Sequence, residues 1–238
     1  MTLRALSALA AASLGAAACG EAPTAEAARA LQCGPTLDFT PVNAYQGELA
    51  AAREREDAVV LINGSCTGTL IAAQAGPVVL TAGHCVGLGD RALVAFNYED
   101  APDGDPLVTN GEVIEQSSEP DYALLRLDAL PAVTPTPLTA RPSDRLAIIQ
   151  HPRGLPKVVA EGGYLYTCRG LLFYADLDTL VGSSGAGVLT REGRLFGIHT
   201  DGDCAEDGSG ANTGWSSADV ARASPYLQAA DVEDCTDC

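Results

Sequence analysis

The chain has 238 residues, 47% of them hydrophobic with few aromatics, enough for one two-barrel domain or two small domains. A formal net charge of −17 excludes nucleic-acid binding, which needs Lys and Arg against phosphates, and argues against charge-driven docking on an anionic membrane. Three histidines, and no Cys pair at zinc-finger spacing with a matching His pair, exclude the common structural metal sites.

In chain order, Arg4 and the Leu- and Ala-rich run Ala5 to Ala18 read as a secretory signal over residues 1–18. Ala16-Ala17-Ala18-Cys19 resembles a lipoprotein cleavage site, with Ala16 where Leu is usual, so Cys19 is a candidate for lipidation and membrane anchoring. The alternative is ordinary cleavage nearby and free export. Either route leads to an oxidising compartment in which cysteines pair. Residues 19–57 read as a tether or pro-segment, with a short polar helix or linker at 46–57.

From Ala58 the pattern changes to short apolar runs separated by Gly, Pro, Asp and Asn. The first six are Val59–Ile62, Thr67–Ala73, Pro77–Thr81, Ala92–Phe96, Val108–Ile114 and Tyr122–Leu127. A Pro- and Thr-rich crossing at 131–143 follows. The second six are Leu146–Gln150, Val158–Glu161, Tyr164–Thr167, Phe173–Ala175, Gly187–Thr190 and Leu195–His199. Such spacing predicts an all-β sandwich or barrel, and no intervening segment has the period of a crossover helix. A terminal helix is predicted over Ser217 to Ala230, with Ser216 or Ser217 as cap and Asp219 in its first turn. Two strand groups imply two barrels, roughly 58–135 and 136–230, within one unit at 58–238.

Three pieces carry chemistry. Thr81-Ala82-Gly83-His84-Cys85 follows an apolar strand and sets an imidazole at a strand end, where a rigid scaffold can hold a general base. Asp121 opens the apolar run Tyr122–Leu127 and can be shielded there, whereas Glu119 and Asp128 are rival acids. Ser184 lies in Gly182-Ser183-Ser184-Gly185, a weak turn sequence alone and a strong signal after the other two. In this scheme His84 takes the Ser184 proton, Asp121 orients the imidazole, and the Gly182 and Ser184 N–H groups point at a developing oxyanion.

Cys66 and Cys85 flank the turn between consecutive strands and are expected to bridge. Cys168 and Cys204 flank the serine loop and are expected to bridge as well. Cys33, Cys235 and Cys238 remain, and Cys33 could tie the N-terminal segment to the tail.

Cys66-Thr67-Gly68-Thr69-Leu70-Ile71, Thr81 to Cys85, Asp121 to Leu125, Gln150-His151-Pro152 with Gly154 and Lys157, and Gly182 to Gly185 together resemble the trypsin-like serine proteases. The resemblance is nearest to the bacterial glutamyl endopeptidase branch. It implies two six-stranded antiparallel β-barrels with a C-terminal helix, peptide-bond hydrolysis through an acyl-enzyme, a protein or peptide substrate and no cofactor; the chain is expected to be a monomer. Gly185-Ala186-Gly187 departs from the family's Gly-Ser-Pro after the nucleophile. His151 falls in a structural turn. Thr179 and His199 match residues that hold a substrate carboxylate in glutamyl endopeptidases, while Asp178 matches the pocket acid of trypsins, so acidic, basic and other preferences all stay open, with a slight lean to glutamate. Asp201 and Asp203 add negative charge beyond His199. A catalytically silent homologue that binds peptides, or serves as an envelope adaptor, is the alternative from another class.

Overall fold

The computed structural model describes residues 32–235 apart from 102 and 105. The expected leader at 1–18, the lipidation candidate Cys19, and Cys238 lie outside the described residues.

The first strand group closes on itself. β2 (Val59–Ile62), β3 (Cys66–Ile71), β4 (Val78–Thr81), β5 (Arg91–Phe96), β6 (Leu107–Ser118) and β7 (Asp121–Leu127) form a closed antiparallel barrel in the order β2-β3-β4-β7-β6-β5. Val60, Ile62, Leu70, Val79, Val94 and Leu125 fill its interior.

The second group repeats the plan. β9 (Arg145–Gln150), β10 (Val158–Cys168), β11 (Leu171–Ala175), β14 (Asn212–Ser216), β13 (Leu195–Gly202) and β12 (Gly187–Thr190) are neighbours in that order. The antiparallel pairing of β12 with both β13 and β9 closes the ring. Leu146, Ile148, Leu172, Tyr174, Val188 and Phe196 occupy this interior. Short β8 (Leu138–Thr139) and β15 (Val232–Glu233) extend the sheet from β13, and β1 (Thr40–Pro41) adds to β10.

A third apolar cluster joins the barrels. Ile71, Val78, Leu80 and Leu124 of the first meet Ile149, Leu189 and Ile198 of the second. This explains why Val78-Val79-Leu80 reads as an unbroken apolar run: Val79 faces the barrel interior and its neighbours face the other barrel. A charged lock crosses the same joint. The Lys157 ammonium, fully buried, donates to the Glu56 carbonyl at 2.8 Å, and meets the carboxylates of Glu56 at 2.5 Å and Glu99 at 2.6 Å. Glu56 takes two hydrogen bonds from the ammonium, and Glu99 faces it as an ion pair.

The structure corrects four expectations. Val158–Glu161 and Tyr164–Thr167 are one bent strand, β10, with a bulge between Tyr164 and Tyr166. The sixth strand of the second barrel is β14, Asn212-Thr213-Gly214-Trp215-Ser216, whose polar sequence lacks apolar alternation. The terminal helix, α2 (Ser217–Ala223), stops short of Ala230. Its Ser216 cap is as expected, with the hydroxyl accepting the Asp219 N–H at 3.0 Å. It stops because Pro225 forces Ser224 out of the helical region. Finally, the segment read as a tether is part of the fold from Cys33 onward. Val42, Leu49 and Ala52, the last in the short helix α1 (Ala50–Arg53), join the interbarrel core.

Candidate active site

β4 delivers the chain to a tight turn, Gly83–Cys85, that carries His84. Gly83 is required there: a Cβ would lie 2.1 Å from the Ser117 carbonyl oxygen and 2.7 Å from an Asp121 carboxylate oxygen. The close approach lets Asp121, the first residue of β7, hold His84 twice. Its Oδ1 accepts the His84 backbone N–H at 2.9 Å, and its Oδ2 lies 2.7 Å from the imidazole Nδ1. Nδ1 therefore carries the proton, and Nε2 is left as an acceptor. The imidazole side chain is 48% exposed and the carboxylate 16%. The hydrogen bond to Asp121 raises the His84 pKa above 6.5, against a lowering by burial, and the charges of Asp121 and Asp201 add to the rise. Of the rival acids, Asp128 pairs instead with Arg91.

The serine loop comes from the second barrel and docks on the first. The Thr67 N–H donates to the Ser184 carbonyl at 2.9 Å, and Cys85 Sγ, next in sequence to His84, lies 3.8 Å from the same oxygen. Cys66 and Cys85 form the expected disulfide, so this docking surface is cross-linked. Gly185 has φ +83, and a Cβ there would lie 2.1 Å from the Thr81 hydroxyl and 2.3 Å from the Thr67 carbonyl oxygen. The Gly185-Ala186-Gly187 sequence causes no disruption: the Gly185 N–H donates to the His199 carbonyl at 2.8 Å and β12 begins at Gly187.

Two donors in the loop are open. The Val181 carbonyl accepts the Arg153 N–H at 2.6 Å, and the Ser183 carbonyl accepts the Ala186 N–H at 3.0 Å. In a trans peptide the N–H points away from its carbonyl. The Gly182 and Ser184 N–H groups therefore face away from these anchors, and among the described residues neither has an acceptor. Two open backbone donors in the serine loop are the kind of group that suits a carbonyl oxygen gaining charge.

The pocket residues fall differently. Asp178 is 2% exposed, and it does not offer its carboxylate to a substrate. Oδ1 accepts the Cys33 N–H at 2.7 Å and Oδ2 the Asp38 N–H at 2.6 Å, so it clamps the N-terminal segment. Thr179 and His199 are each buried, and the Asn212 amide donates to the Thr179 hydroxyl at 3.2 Å. His199 Nδ1 lies 2.6 Å from the Tyr174 hydroxyl, which donates to the Thr213 carbonyl at 3.0 Å. With the Tyr174 proton committed, Nδ1 is the donor. Burial, and then the His84 charge, lowers the His199 pKa to about 3, so the ring is neutral. Asp201 sits near enough to His84 and Asp121 to feel both charges, and burial raises its pKa.

Cys204 does not bridge Cys168. It pairs with Cys33, across 171 residues, beside the Asp178 clamp. Cys168 and Cys235 each take part in a disulfide as well. The expectation failed because closeness to the serine loop along the chain says nothing of which thiols meet. His151 is buried in the turn before Pro152, with Nδ1 donating to the Leu155 carbonyl at 2.9 Å, and burial lowers its pKa to about 4. Tyr174 and Thr67 were not singled out from sequence for any role at the site. Tyr174 sits in the apolar run Leu171–Ala175, where nothing local distinguishes it from core.

A family model described as a trypsin-like peptidase domain matches residues 66–198, more than half of the chain. Among solved structures, the chain is similar to the serine endoprotease from Yersinia pestis, with a TM-score of 0.61 and 20% identity. That match covers 75% of this chain and 65% of the other, so this chain spans just under two thirds of that structure's length. At this identity the likeness is one of fold. No curated protein matches the sequence.

Proposed function

Because the chain belongs to the trypsin-like peptidase family, we propose that it is a serine endopeptidase that works through an acyl-enzyme, with His84, Asp121 and Ser184 as its triad. The observation that carries this reading is the 2.7 Å bond from His84 Nδ1 to Asp121, which leaves Nε2 free to accept the Ser184 proton. Ser184 Oγ attacks the scissile carbonyl carbon while its proton passes to His84 Nε2. The carbonyl oxygen, now negative, takes the Gly182 and Ser184 N–H bonds. Collapse breaks the C–N bond, and His84 returns the proton to the leaving amine. Water, deprotonated by His84, then hydrolyses the ester and restores Ser184.

The preferred residue before the scissile bond is glutamate, as in the glutamyl endopeptidase branch. Thr179 and His199 support this, and Asp178, whose two oxygens are already bonded, no longer supports a basic preference. His199 is neutral in the free chain, and an entering carboxylate would favour its protonation. Asp201 opposes the same carboxylate, so the preference depends on which charge lies nearer. The reading extends to export, by way of residues 1–18 and either lipidation at Cys19 or release, and the disulfides favour an oxidising compartment. The peptidase unit is taken as 58–238, with 33–57 packed onto it.

A phosphonylating serine probe tests the chemistry. Labelling that disappears in Ser184→Ala supports the peptidase, whereas a well-folded chain that never labels supports the silent peptide-binding homologue. Peptides differing only in Glu, Arg or Ala before the scissile bond test the pocket. Fastest cleavage after Arg would overturn the glutamyl reading and leave the peptidase standing.

A further inference from the structure

Thr67 lies on β3 of the first barrel, fully buried, yet most of its polar atoms serve the second barrel. Its hydroxyl donates to the Gly182 carbonyl at 2.8 Å and accepts the His151 N–H at 3.0 Å. Its backbone N–H holds the Ser184 carbonyl at 2.9 Å. Its own carbonyl takes the Thr81 hydroxyl at 2.7 Å, which ties it to the strand that leads to His84. A single side-chain oxygen thus joins the serine loop to the turn that begins at His151.

That turn has a direct hold on the loop. Arg153 stands at φ +58, a left-handed conformation uncommon for arginine, and its N–H donates to the Val181 carbonyl at 2.6 Å. The Val181–Gly182 peptide is the one whose N–H is open. A Cβ at Gly182 would meet the Arg153 nitrogen at 2.7 Å and the His151 oxygen at 2.8 Å, so the loop and the turn are in full contact.

We propose that Thr67 is a positioning residue for the oxyanion donors: its hydroxyl, bonded at once to Gly182 O and His151 N–H, keeps the His151–Arg153 turn seated so that the Gly182 N–H faces the reacting oxygen. Thr67 touches no reacting atom itself. The inference rests on the serine-peptidase reading for its catalytic consequence, though not for the geometry. Serine at position 67 can make both hydroxyl bonds. Valine keeps the shape and makes neither, leaving a buried carbonyl and a buried N–H unpaired.

The test compares Thr67→Val with Thr67→Ser, and Thr67→Ala supplies the same loss if valine does not fold. In Thr67→Val, kcat should fall by about one to two orders of magnitude, less than or comparable to the loss of one oxyanion donor, with KM within about twofold. Affinity for a peptide aldehyde, whose hemiacetal oxygen needs the same donors, should fall in step with kcat. The acid limb of the pH profile, set by His84, should stay in place. Thr67→Ser should restore kcat to within about threefold of the parent. Unchanged kcat in Thr67→Val, or a serine variant as impaired as valine, overturns the proposal. If the parent chain is never labelled at Ser184, the peptidase reading fails on its own. Thr67 is then judged by hydrogen exchange at the Arg153 amide: faster exchange in valine than in serine supports the proposal, and equal exchange overturns it.

Discussion

His84 and Asp121 belong to one barrel and hold each other, through two bonds to a single carboxylate. The Gly182–Gly185 loop of the other barrel is held largely from outside itself. Thr67 comes from the first barrel, Arg153 from a distant turn, and the His199 carbonyl from β13. The histidines differ in the same sense. His84 has a raised pKa because a carboxylate meets it, while His151 and His199 are pushed down to about 4 and about 3 chiefly by burial. The lesson is that the first barrel contributes a charged pair of side chains, whereas the second contributes backbone whose orientation depends on remote supports.

The largest expected effect would break the pair. Asp121→Asn places an amide where a carboxylate fixed the tautomer, and kcat/KM on a cleavable peptide should fall about 10⁴-fold. A fall of less than tenfold would mean that the pair is not self-contained. Next is the charged lock between the barrels. Lys157→Met strands two buried carboxyl groups and should lower the unfolding free energy by about 3–5 kcal/mol in urea titration. Adding Glu56→Gln and Glu99→Gln should recover most of it, since the uncompensated charge leaves with them.

The N-terminal segment held by Cys204 and Asp178 is the third target. Cys33→Ser opens a disulfide that spans 171 residues and frees the segment clamped by Asp178. Stability should fall by about 2–5 kcal/mol. Labelling of Ser184 should slow, because Asp178 leads directly into the serine loop, while the NMR titration of His84 stays unchanged. A displaced His84 titration would show that the two regions are coupled more tightly than their bonding suggests.

The smallest effects are read by pH. As the base, His84 must be neutral, so the acid limb of kcat/KM should lie above pH 6.5. Its raised pKa contributes stability below pH 6.5 that is lost as pH rises through the folded value. The buried histidines act in the opposite sense. Between about pH 6.5 and 4.5 the unfolded chain binds protons on His151 and His199 that the native chain excludes. Glu56, raised by burial to about 7, offsets one of these, because the native chain keeps a proton that the unfolded chain releases. With two rings opposed by Glu56 and, in the same sense, by Asp201, stability should fall on acidification from pH 6.5, by less than the two-proton limit of about 2.8 kcal/mol per pH unit. Urea titrations at pH 6.5, 5.5 and 4.5 check it, and NMR titration showing either ring protonated in the native chain near pH 6.5 would contradict its buried, neutral state.

The residues that turned out to meet were legible where chemistry and strand pattern coincide. His84 follows an apolar strand and Asp121 opens another, and pairing of β4 with β7 brings them together. Cys66 and Cys85 flank one hairpin, so their disulfide needed no long-range information. β14 was missed because a strand with polar side chains in a closed barrel is specified by its neighbours β11 and β13 rather than by its own alternation. Asp178 was assigned to the pocket by its distance along the chain from Ser184, and that distance is silent about the N-terminal segment that covers it.

What the sequence determined by itself is local: where strands form, where His84, Asp121 and Ser184 fall along them, and which turns need glycine. Those follow from side-chain period and backbone sterics, which act over a few residues. What tertiary structure alone decided is partnership: Cys33 with Cys204, Asp178 with Cys33 and Asp38, Thr67 with Gly182 and His151. Each joins groups 80 or more residues apart, as with Thr67 and His151 at a separation of 84. A buried polar atom must find a partner wherever packing leaves one within reach, and only the closed pair of barrels establishes that reach.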